Sequence, residues 1–432
     1  MQMQSWAFIL FVAVSVLLYW TAVPRRFRPH FLLAISVGYY FTCSVAFGVF
    51  LLIYLYVMFV IGILIDTAKG RRGRMAWLTA GVVGGLGVLF VFKLRAGMLH
   101  LAFLLLGQPG AAAAATILAA RIGIPLGISY FTFRAIHYLV EVYRGKVIRA
   151  TWVEFFLYVT FFPAMVSGPI HRFYTIGHED PRDSFSNQLR GEGGAPNFSL
   201  DDFSSGLWRI LTGVVKKFVI ADFFATLAAP MTTTSGLLPS VNTWQLWAAG
   251  HFYYGYLYMD FSGYTDMALG MARLFGFRMM ENFHWPISAY NLREFWRRWH
   301  MSMTYYAMQY VFIPLGGSRK GRFRTNINLL LTFVAIAAWH NITANMLLWG
   351  FIQGVAMVIN GYYERFKKRM LPDHQPTWWG KVLGVILMWT WFGACWPIFH
   401  HGLRMSVLFY FKMFPFLTYI FPVLRMTPKL GG

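Results

Sequence analysis

The part of this chain best suited to chemistry is LREFWRRWHMSM, residues 292 to 303, where three arginines, a glutamate and a histidine stand in apolar surroundings. On a continuous helix, steps of four and three residues place Arg293, Arg297 and His300 on one face. Such a basic face has two interpretations. It anchors a helix at a membrane surface, or it binds a phosphate-bearing donor through planar guanidinium groups.

The rest of this segment has structural explanations. Glu294 and Arg298 are four residues apart, the spacing of a helical ion pair. Phe295, Trp296 and Trp299 form an aromatic face beside the basic one. The segment is therefore predicted to be an amphipathic helix at an interface or at the rim of a funnel.

His340 is the second candidate, because it is the only ionisable residue between positions 327 and 361. A single histidine in an apolar run is typically a hydrogen-bonded core residue. A low-dielectric site also keeps imidazole neutral, so that it can accept a proton near neutral pH. Both a structural role and a role as general base are open for His340.

Two aspartates, Asp260 and Asp266, interrupt the apolar run YMDFSGYTDMALG. Six residues of helix turn them roughly 120° apart, so they do not form a catalytic carboxylate pair. We expect each to accept hydrogen bonds or to pair with a nearby basic residue, since buried charges are generally paired.

Nucleotide-binding and hydrolase motifs are absent from the sequence, including the P-loop, GxGxxG, HExxH and GxSxG patterns. PLGGSRKG, residues 314 to 321, lacks the spacing of a phosphate loop. The two cysteines, Cys43 and Cys395, both lie in apolar runs and predict neither a disulfide nor a metal site. No metal and no tightly bound cofactor is therefore expected.

The elements that position these residues must be membrane helices. Of the 432 residues, 57% are hydrophobic and only 12% are charged, against roughly 25% charged residues in soluble domains. Apolar runs of about 20 residues recur, as membrane spans require. Clear runs cover residues 5–23, 31–47, 49–65, 75–92, 123–143, 151–168, 244–260, 327–349 and 379–399. Shorter, charged or overlapping runs cover residues 97–120, 207–229, 261–276, 344–361 and 403–423.

An all-α, polytopic membrane protein follows, with about 11 to 14 helices, some of them re-entrant or interfacial. The net charge of +22 does not indicate nucleic acid, because the basic residues fall in short loops near 25–28, 69–74, 144–149 and 365–369. This is the positive-inside pattern. It places the N-terminus outside the cytoplasm, and the first apolar run is a retained span because no cleavage site follows it.

One membrane domain is predicted over residues 1–432. Its long polar stretch, residues 178–202, is interpreted as an exposed loop. Ser199 or Asp201 is expected to cap the helix that follows. Lys216 and Lys217 in that helix indicate contact with the cytoplasmic interface.

Seven blocks of the chain resemble the membrane-bound O-acyltransferase family, in its bacterial branch of alginate O-acetylation and teichoic-acid D-alanylation membrane proteins. They occur in family order, and the last four together are highly specific to the family. They are GIPLGISYFTFRAIHYLVEVYRG, FFPAMVSGPIHRF, GVVKKFVIADFFA, YMDFSGYTDMALGMARLFGFRMMENF, REFWRRWHMSM, YVFIPLGGSRKG and AWHN.

The resemblance implies a ring of helices around a thinned centre, where a cytoplasmic funnel meets one from outside. It implies that His340 is the catalytic base and His300 the second catalytic residue. The predicted substrate- or donor-binding residues are Arg293, Arg297, Trp299, Asn341, Asp260 and Ser262. Asn341 replaces an expected glycine, and His284, Trp285 and His171 also depart from the family pattern, which bears on substrate choice.

The implied reaction transfers an acyl group, with acetyl favoured, from a cytoplasmic thioester to a hydroxyl of an extracytoplasmic polysaccharide or of an accessory protein. The donor is acyl-CoA or a phosphopantetheine carrier protein, and no nucleic acid is involved. D-alanyl transfer toward teichoic acid is the alternative. From other classes, a proton-coupled transporter using His340, Asp260 and Asp266, or a non-catalytic scaffold for polysaccharide export, stays open. The implied location is the bacterial cytoplasmic membrane, among membrane lipid.

Overall fold

A computed structural model describes residues 5–106, 112–147, 149–166, 168–173, 184–190, 195–232, 240–372 and 376–420. Throughout these ranges the regular structure is helical and no β-strand occurs. The prediction of an all-α protein is confirmed. Four of the described helices are long and apolar enough to cross a membrane, which agrees with a polytopic membrane protein.

The chain divides into two compact units, and the single membrane domain over residues 1–432 stays a prediction. Unit 1 comprises Met1–Gly213 and Tyr264–Glu281, and unit 2 comprises Val214–Gly263 and Asn282–Gly432. Helices α9 and α11 contribute residues to both. The first nine helices are α1 (Trp6–Thr21), α2 (Arg28–Cys43), α3 (Val45–Thr67), α4 (Gly70–Leu105), α5 (Ala112–Ile122), α6 (Ile128–Tyr143), α7 (Trp152–Thr160), α8 (Phe185–Arg190) and α9 (Leu200–Val215).

A π-helical turn, Lys216–Ala221, joins α9 to α10. The later helices are α10 (Asp222–Thr232), α11 (Thr243–Leu274), α12 (Leu292–Arg298), α13 (Met301–Ala307), α14 (Gly321–His340), α15 (Ala344–Met370), α16 (Trp378–His400), α17 (Leu403–Met413) and α18 (Leu417–Ile420). The helices able to cross a membrane by length and composition are α3, α4, α15 and α16.

Several predicted boundaries are wrong. The runs 244–260 and 261–276 largely form one helix, α11, which continues through Ser262 and Gly263 and ends at Leu274. The run 327–349 is two helices, since the backbone becomes extended at Asn341 and Thr343. The run 97–120 is likewise divided between α4 and α5, which are joined by a hydrogen bond from Arg95 Nε to the Ala119 carbonyl oxygen (2.8 Å).

The polar stretch 178–202 is also more ordered than predicted. In its described part, α8 buries Phe185 and Leu189, so an exposed loop is wrong for these residues. Residues 178–183 and 191–194 lie outside the described ranges. The predicted cap is confirmed at Ser199, whose hydroxyl accepts a hydrogen bond from the Asp202 backbone N–H at 3.2 Å.

Unit 1 has a buried arginine at its core. The Arg134 guanidinium, 1% exposed, donates to four backbone carbonyls, those of Tyr158, Val159, Ala164 and Pro169. These bonds are made by the two terminal nitrogens, Nη1 and Nη2, and offset much of the cost of burying the charge. Residues 134 and 164 belong to two of the sequence blocks that resemble the family. The hydrogen bonds from the Arg134 side chain to backbone carbonyls hold these two blocks together.

In unit 2, α14 and α15 form a close antiparallel hairpin because small residues face each other. A Cβ added to Gly350 would lie 2.5 Å from the Ala337 Cβ and 2.8 Å from the Phe333 carbonyl oxygen. One turn further on, a Cβ on Gly354 would lie 3.1 Å from the Leu330 Cα. Glycines four residues apart allow such approach between membrane helices. The hairpin fixes the end of α14, where His340 stands.

Candidate active site

An aromatic cavity of about 100 Å³ lies within unit 2. His300 and His340 both contribute to its wall, as do Trp299 and residues of α11, α14 and α16. Its other lining residues are Tyr253, Tyr254, Leu257, Phe261, Phe295, Trp296, Met303, Thr304, Ile336, Trp349, Phe392, Cys395, Trp396 and Phe399. The two histidines predicted as catalytic, 40 residues apart in sequence, thus share one small cavity.

His340 is the last residue of α14, followed by the extended Asn341. It is exposed at the helix end rather than enclosed within an apolar span, because the chain turns before α15 begins. Its ring centroid lies 4.4 Å from that of Trp339 and 6.1 Å from that of Phe399. An imidazole that both reaches the cavity and remains accessible can exchange protons with a substrate.

His300 does not lie on the basic helix face predicted for it. Helix α12 ends at Arg298, Trp299 is extended, and His300 adopts a left-handed conformation with φ 43° and ψ 53° before α13 begins. For a non-glycine residue this conformation costs about 1 to 2 kcal/mol. Such strain persists only where the surroundings enforce it, and it occurs often at functional sites.

Asn282 and His284 hold this turn in place. The Met301 backbone N–H donates to the Asn282 carbonyl oxygen at 2.8 Å, and the Ser302 hydroxyl donates to Asn282 Oδ1 at 2.6 Å. The His284 N–H donates to the Arg298 carbonyl oxygen at 2.9 Å. Because Asn282 is 0% and Ser302 1% exposed, these bonds are shielded from water. They bracket His300 and orient its ring.

The His300 ring is 5% exposed and packs edge-on against Phe261, with centroids 4.7 Å apart. It lies outside the four helices able to cross a membrane. Burial, and secondarily the nearby His340, lowers the pKa of His300 to about 3. Its imidazole is therefore neutral at physiological pH. Among the described residues, His300 Nε2 has no hydrogen-bond partner, which leaves this atom available to a ligand.

The arginines of α12 do not line the cavity. Arg293 forms an ion pair with Glu364 of α15 at 2.8 Å, and Arg297 is exposed. The predicted pair between Glu294 and Arg298 is confirmed at 2.5 Å. Arg293 therefore attaches α12 to α15, and a donor-binding role for Arg293 and Arg297 stays a prediction.

Both aspartates form ion pairs, as expected. Asp260 pairs with Lys217 in unit 2. In unit 1, Asp266 accepts from Arg209 Nε at 3.0 Å, and the same guanidinium also holds the Glu281 carboxylate. The neutralised carboxylates, found in separate units, lend no support to a proton-coupled transporter that uses them as a relay.

Three further residues that were predicted to bind substrate or donor lie in different places relative to the cavity. Trp299 lines the cavity and stacks on Phe295, with centroids 5.4 Å apart. Ser262 is 3% exposed and its hydroxyl has no hydrogen-bond partner in the described part of the chain, but it does not line the cavity. Asn341 is exposed and caps α14 through its backbone. Of the three, only Trp299 adjoins the histidines.

Sequence reasoning missed a tyrosine–histidine pair beside the cavity, of which Tyr253 lines the wall. The Tyr253 hydroxyl lies 3.0 Å from Nδ1 of His400 at the end of α16. Gly250 and Gly393 make this possible: a Cβ on Gly250 would lie 2.4 Å from the Gly393 carbonyl oxygen. The pair joins residues 147 positions apart in different helices, and no local pattern signals it.

The described residues contain no group of three histidine, cysteine or carboxylate side chains able to hold a metal ion. The functional groups on the cavity wall are instead imidazoles, indoles and hydroxyls. These groups move protons and polarise carbonyls. The cavity therefore has the chemistry of an acid–base site for group transfer.

The helical membrane fold agrees with comparison against known proteins: the chain belongs to the membrane-bound O-acyltransferase family. The family model matches residues 138–370, which include both histidines. The chain is 33% identical to a probable alginate O-acetylase of Azotobacter vinelandii, over 81% of this chain and 66% of that protein. It is 34% identical to a probable alginate O-acetylase of Pseudomonas aeruginosa, over 81% and 64% respectively.

The names of two less similar relatives refer to other polymers. A teichoic acid D-alanyltransferase of Streptococcus thermophilus is 30% identical over 61% of this chain and 65% of that protein. A peptidoglycan O-acetyltransferase of Helicobacter pylori is 27% identical over 64% and 54%. The matched region spans less than two thirds of the length of the alginate relatives.

Proposed function

We propose that this protein is a membrane-bound O-acyltransferase that moves a small acyl group, most simply acetyl, from a cytoplasmic thioester to a hydroxyl. The acceptor hydroxyl belongs to an extracytoplasmic polysaccharide or to an accessory protein that receives the acyl group. The observation that carries the proposal is the pair of histidines on one aromatic cavity. The alginate O-acetylase relatives support acetyl as the group transferred.

In the proposed reaction, His340 accepts the proton of the acceptor hydroxyl as its oxygen attacks the thioester carbonyl carbon. A carbon–oxygen bond forms, the carbon–sulfur bond breaks, and the leaving thiolate takes the proton back from the His340 imidazolium. A general base of this kind contributes about 10²- to 10⁴-fold to the rate. No metal is needed in this scheme.

His300 and Trp296 are proposed to polarise the carbonyl oxygen of the thioester. Both line the cavity, and neither His300 Nε2 nor Trp296 Nε1 has a hydrogen-bond partner among the described residues. A buried polar atom left without a partner costs about 1 to 3 kcal/mol. A donor aimed at an oxygen that gains charge in the transition state explains why such a cost is retained.

The size of the cavity supports a small acyl group. A volume of about 100 Å³ has room for about seven to ten water molecules, each of which needs roughly 10 to 15 Å³ on this measure. Acetyl and D-alanyl groups fit this space, whereas a long fatty acyl chain does not. The adenine nucleotide or carrier protein of the donor must then remain outside the cavity.

We place the protein in the bacterial cytoplasmic membrane with its N-terminus outside and its basic loops inside. The positive-inside distribution of arginine and lysine supports this orientation. The turn at residues 365–369, which ends α15, then faces the cytoplasm, and His340 stands at the opposite end of the α14–α15 hairpin. This arrangement allows an accessory acceptor protein or polysaccharide to approach His340 from outside.

D-alanyl transfer is the second candidate, favoured by the teichoic acid D-alanyltransferase relatives. The identity of the thioester donor distinguishes acetyl transfer from D-alanyl transfer. Inverted membrane vesicles containing the protein should be incubated with radiolabelled acetyl-CoA or with D-alanylated carrier protein, and label in the polymer and protein fractions counted.

Incorporation from acetyl-CoA alone is the expected result, and incorporation from the carrier protein alone would select the D-alanyl reaction. Vesicles lacking the protein provide the background. No incorporation from either donor, with protein that is folded and supplied with its accessory acceptor, would reject acyl transfer and leave a scaffold role.

A further inference from the structure

A groove of about 430 Å³ runs along α15 in unit 2, bounded by Leu292 of α12 and Trp391 of α16. The groove and the histidine cavity have no lining residue in common. Most of the groove's surface is apolar. The Trp391 indole N–H donates to Gln353 Oε1 at 3.2 Å, and the other polar groups are the amide of Asn360 and the hydroxyl of Tyr363. The polar groups lie toward the C-terminal part of α15, so the groove has an apolar and a polar end.

The apolar side of the groove faces outward from the protein. Ile359 is 62% and Tyr363 61% exposed, and Phe351 is 49% exposed. Because α15 is long and apolar enough to cross a membrane, these side chains are expected to meet lipid chains rather than water. A concave apolar track on such a helix is shaped for an acyl chain.

The groove leads into a basic turn. Phe351, Val355, Ile359 and Tyr363 line it at four-residue intervals, and the next position on this ridge is Lys367. The last turn of α15 continues with two more basic residues, Lys368 and Arg369. One face of α15 therefore carries an apolar stripe, then a tyrosine, then cationic groups. This order matches the acyl chain, the interfacial region and the headgroup of a membrane lipid.

The acidic residue in this turn does not cancel the positive charge. Glu364 is held by Arg293 at 2.8 Å and by the amide of Asn360 at 2.9 Å. Arg365 stacks its guanidinium on Tyr362, 4.6 Å from the ring centroid. Beyond the pair between Glu364 and Arg293, the turn keeps an excess of cations.

We propose that this groove binds an anionic phospholipid, with one acyl chain along α15 and its phosphate at the turn formed by Lys367, Lys368 and Arg369. The occupant is a lipid rather than an acidic carrier protein, because an apolar track on a membrane-crossing helix is closed to a water-soluble protein. The site is independent of the acyl transfer proposed above. Basic clusters beside a membrane helix attract anionic headgroups with about 1 kcal/mol per residue.

The test is native mass spectrometry of the full chain in detergent, titrated separately with phosphatidylglycerol and with phosphatidylcholine of the same acyl chains. We expect one phosphatidylglycerol to bind at concentrations where phosphatidylcholine does not. Replacement of the basic turn by Lys367→Gln, Lys368→Gln and Arg369→Gln should weaken that binding by about 100-fold, because each charge contributes about fivefold.

Two matched controls separate the groove from general charge and general bulk. The substitutions Arg319→Gln, Lys320→Gln and Arg322→Gln remove the same charge near the start of α14, which Asn326 and Tyr362 link to α15 by a hydrogen bond of 2.9 Å. Ile359→Trp fills the groove without changing charge, and Ile386→Trp adds the same ring to an exposed site of α16 outside it.

The proposal requires loss of phosphatidylglycerol binding in the basic-turn variant and in Ile359→Trp, with both controls unchanged. Equal retention of the two lipids by the unmodified protein overturns it. So does equal weakening by the α14 control, which would indicate nonspecific charge, or normal binding by Ile359→Trp. Reduced binding of an acidic carrier protein by the basic-turn variant, with lipid binding intact, would assign the turn to a protein partner instead. Elution as a single species confirms that each variant is folded.

Discussion

Gly350→Ala tests how closely α14 and α15 must approach to position His340. The new methyl group would meet Ala337 Cβ at 2.5 Å and the Phe333 carbonyl oxygen at 2.8 Å, distances that require the helices to move. Overpacking of this kind costs about 1 to 3 kcal/mol. Alanine gains about 0.5 to 1 kcal/mol over glycine within a helix, so the balance is a net loss of up to about 2.5 kcal/mol.

Gly38→Ala in α2 is the matched control, because a Cβ there meets no atom within 4 Å. It should keep or raise the unfolding temperature, since only the helix preference of alanine operates. Both variants are measured by thermal unfolding in the same detergent, followed by tryptophan fluorescence, and by acyl transfer in vesicles.

Gly350→Ala should unfold at a lower temperature than the unmodified protein and transfer less, because Ala337 lies one helical turn before His340. Equal unfolding temperatures for Gly350→Ala and Gly38→Ala would refute the close packing of the hairpin. Normal transfer by a destabilised Gly350→Ala protein would show that the position of His340 does not depend on that contact.

Three other perturbations address the site and its supports. Asn282→Ala should lower both transfer and the unfolding temperature, because it strands a buried hydroxyl at a cost of about 1 to 3 kcal/mol and frees the turn at His300. Arg209→Met should lower the unfolding temperature more than Arg293→Gln does, because Arg209 pairs with the mostly buried carboxylate of Asp266. The pair between Arg293 and Glu364 is more exposed, and such a pair contributes only about 0 to 1 kcal/mol. Because burial lowers the pKa of His300 to about 3, the folded state resists its protonation, so stability should fall as pH drops from about 6.5 toward 3. In His300→Gln this acid-dependent loss, followed by thermal unfolding against pH, should be smaller; an unchanged slope would contradict the burial of His300.

The sequence predicted those features that depend on composition or on local spacing. Continuous apolar runs and basic loops predicted an all-helical membrane protein, and four-residue spacing predicted the pair between Glu294 and Arg298. The need to neutralise buried charge predicted that Asp260 and Asp266 would have partners. None of these needs information about distant parts of the chain.

Features that depend on tertiary packing were missed. AWHNIT contains no glycine or proline, and Asn341 is only a weak stop signal within an apolar run. The end of α14 therefore becomes clear only from the close hairpin beyond it. The break at Trp299 and His300 is enforced by Asn282, which stands ten residues before α12 begins. The contact between Tyr253 and His400 also depends on tertiary packing, because it joins helices that are distant in the sequence.

The most direct test of the central claim is acyl transfer by His340→Ala, measured in vesicles with the labelled donor that supports transfer by the unmodified protein. His30→Ala, at an exposed histidine of α2 in unit 1, is the matched control, and equal unfolding temperatures establish that both variants are folded. The account predicts a loss of about 10²- to 10⁴-fold for His340→Ala and near-normal transfer for His30→Ala. Near-normal transfer by folded His340→Ala would contradict the assignment of His340 as the general base.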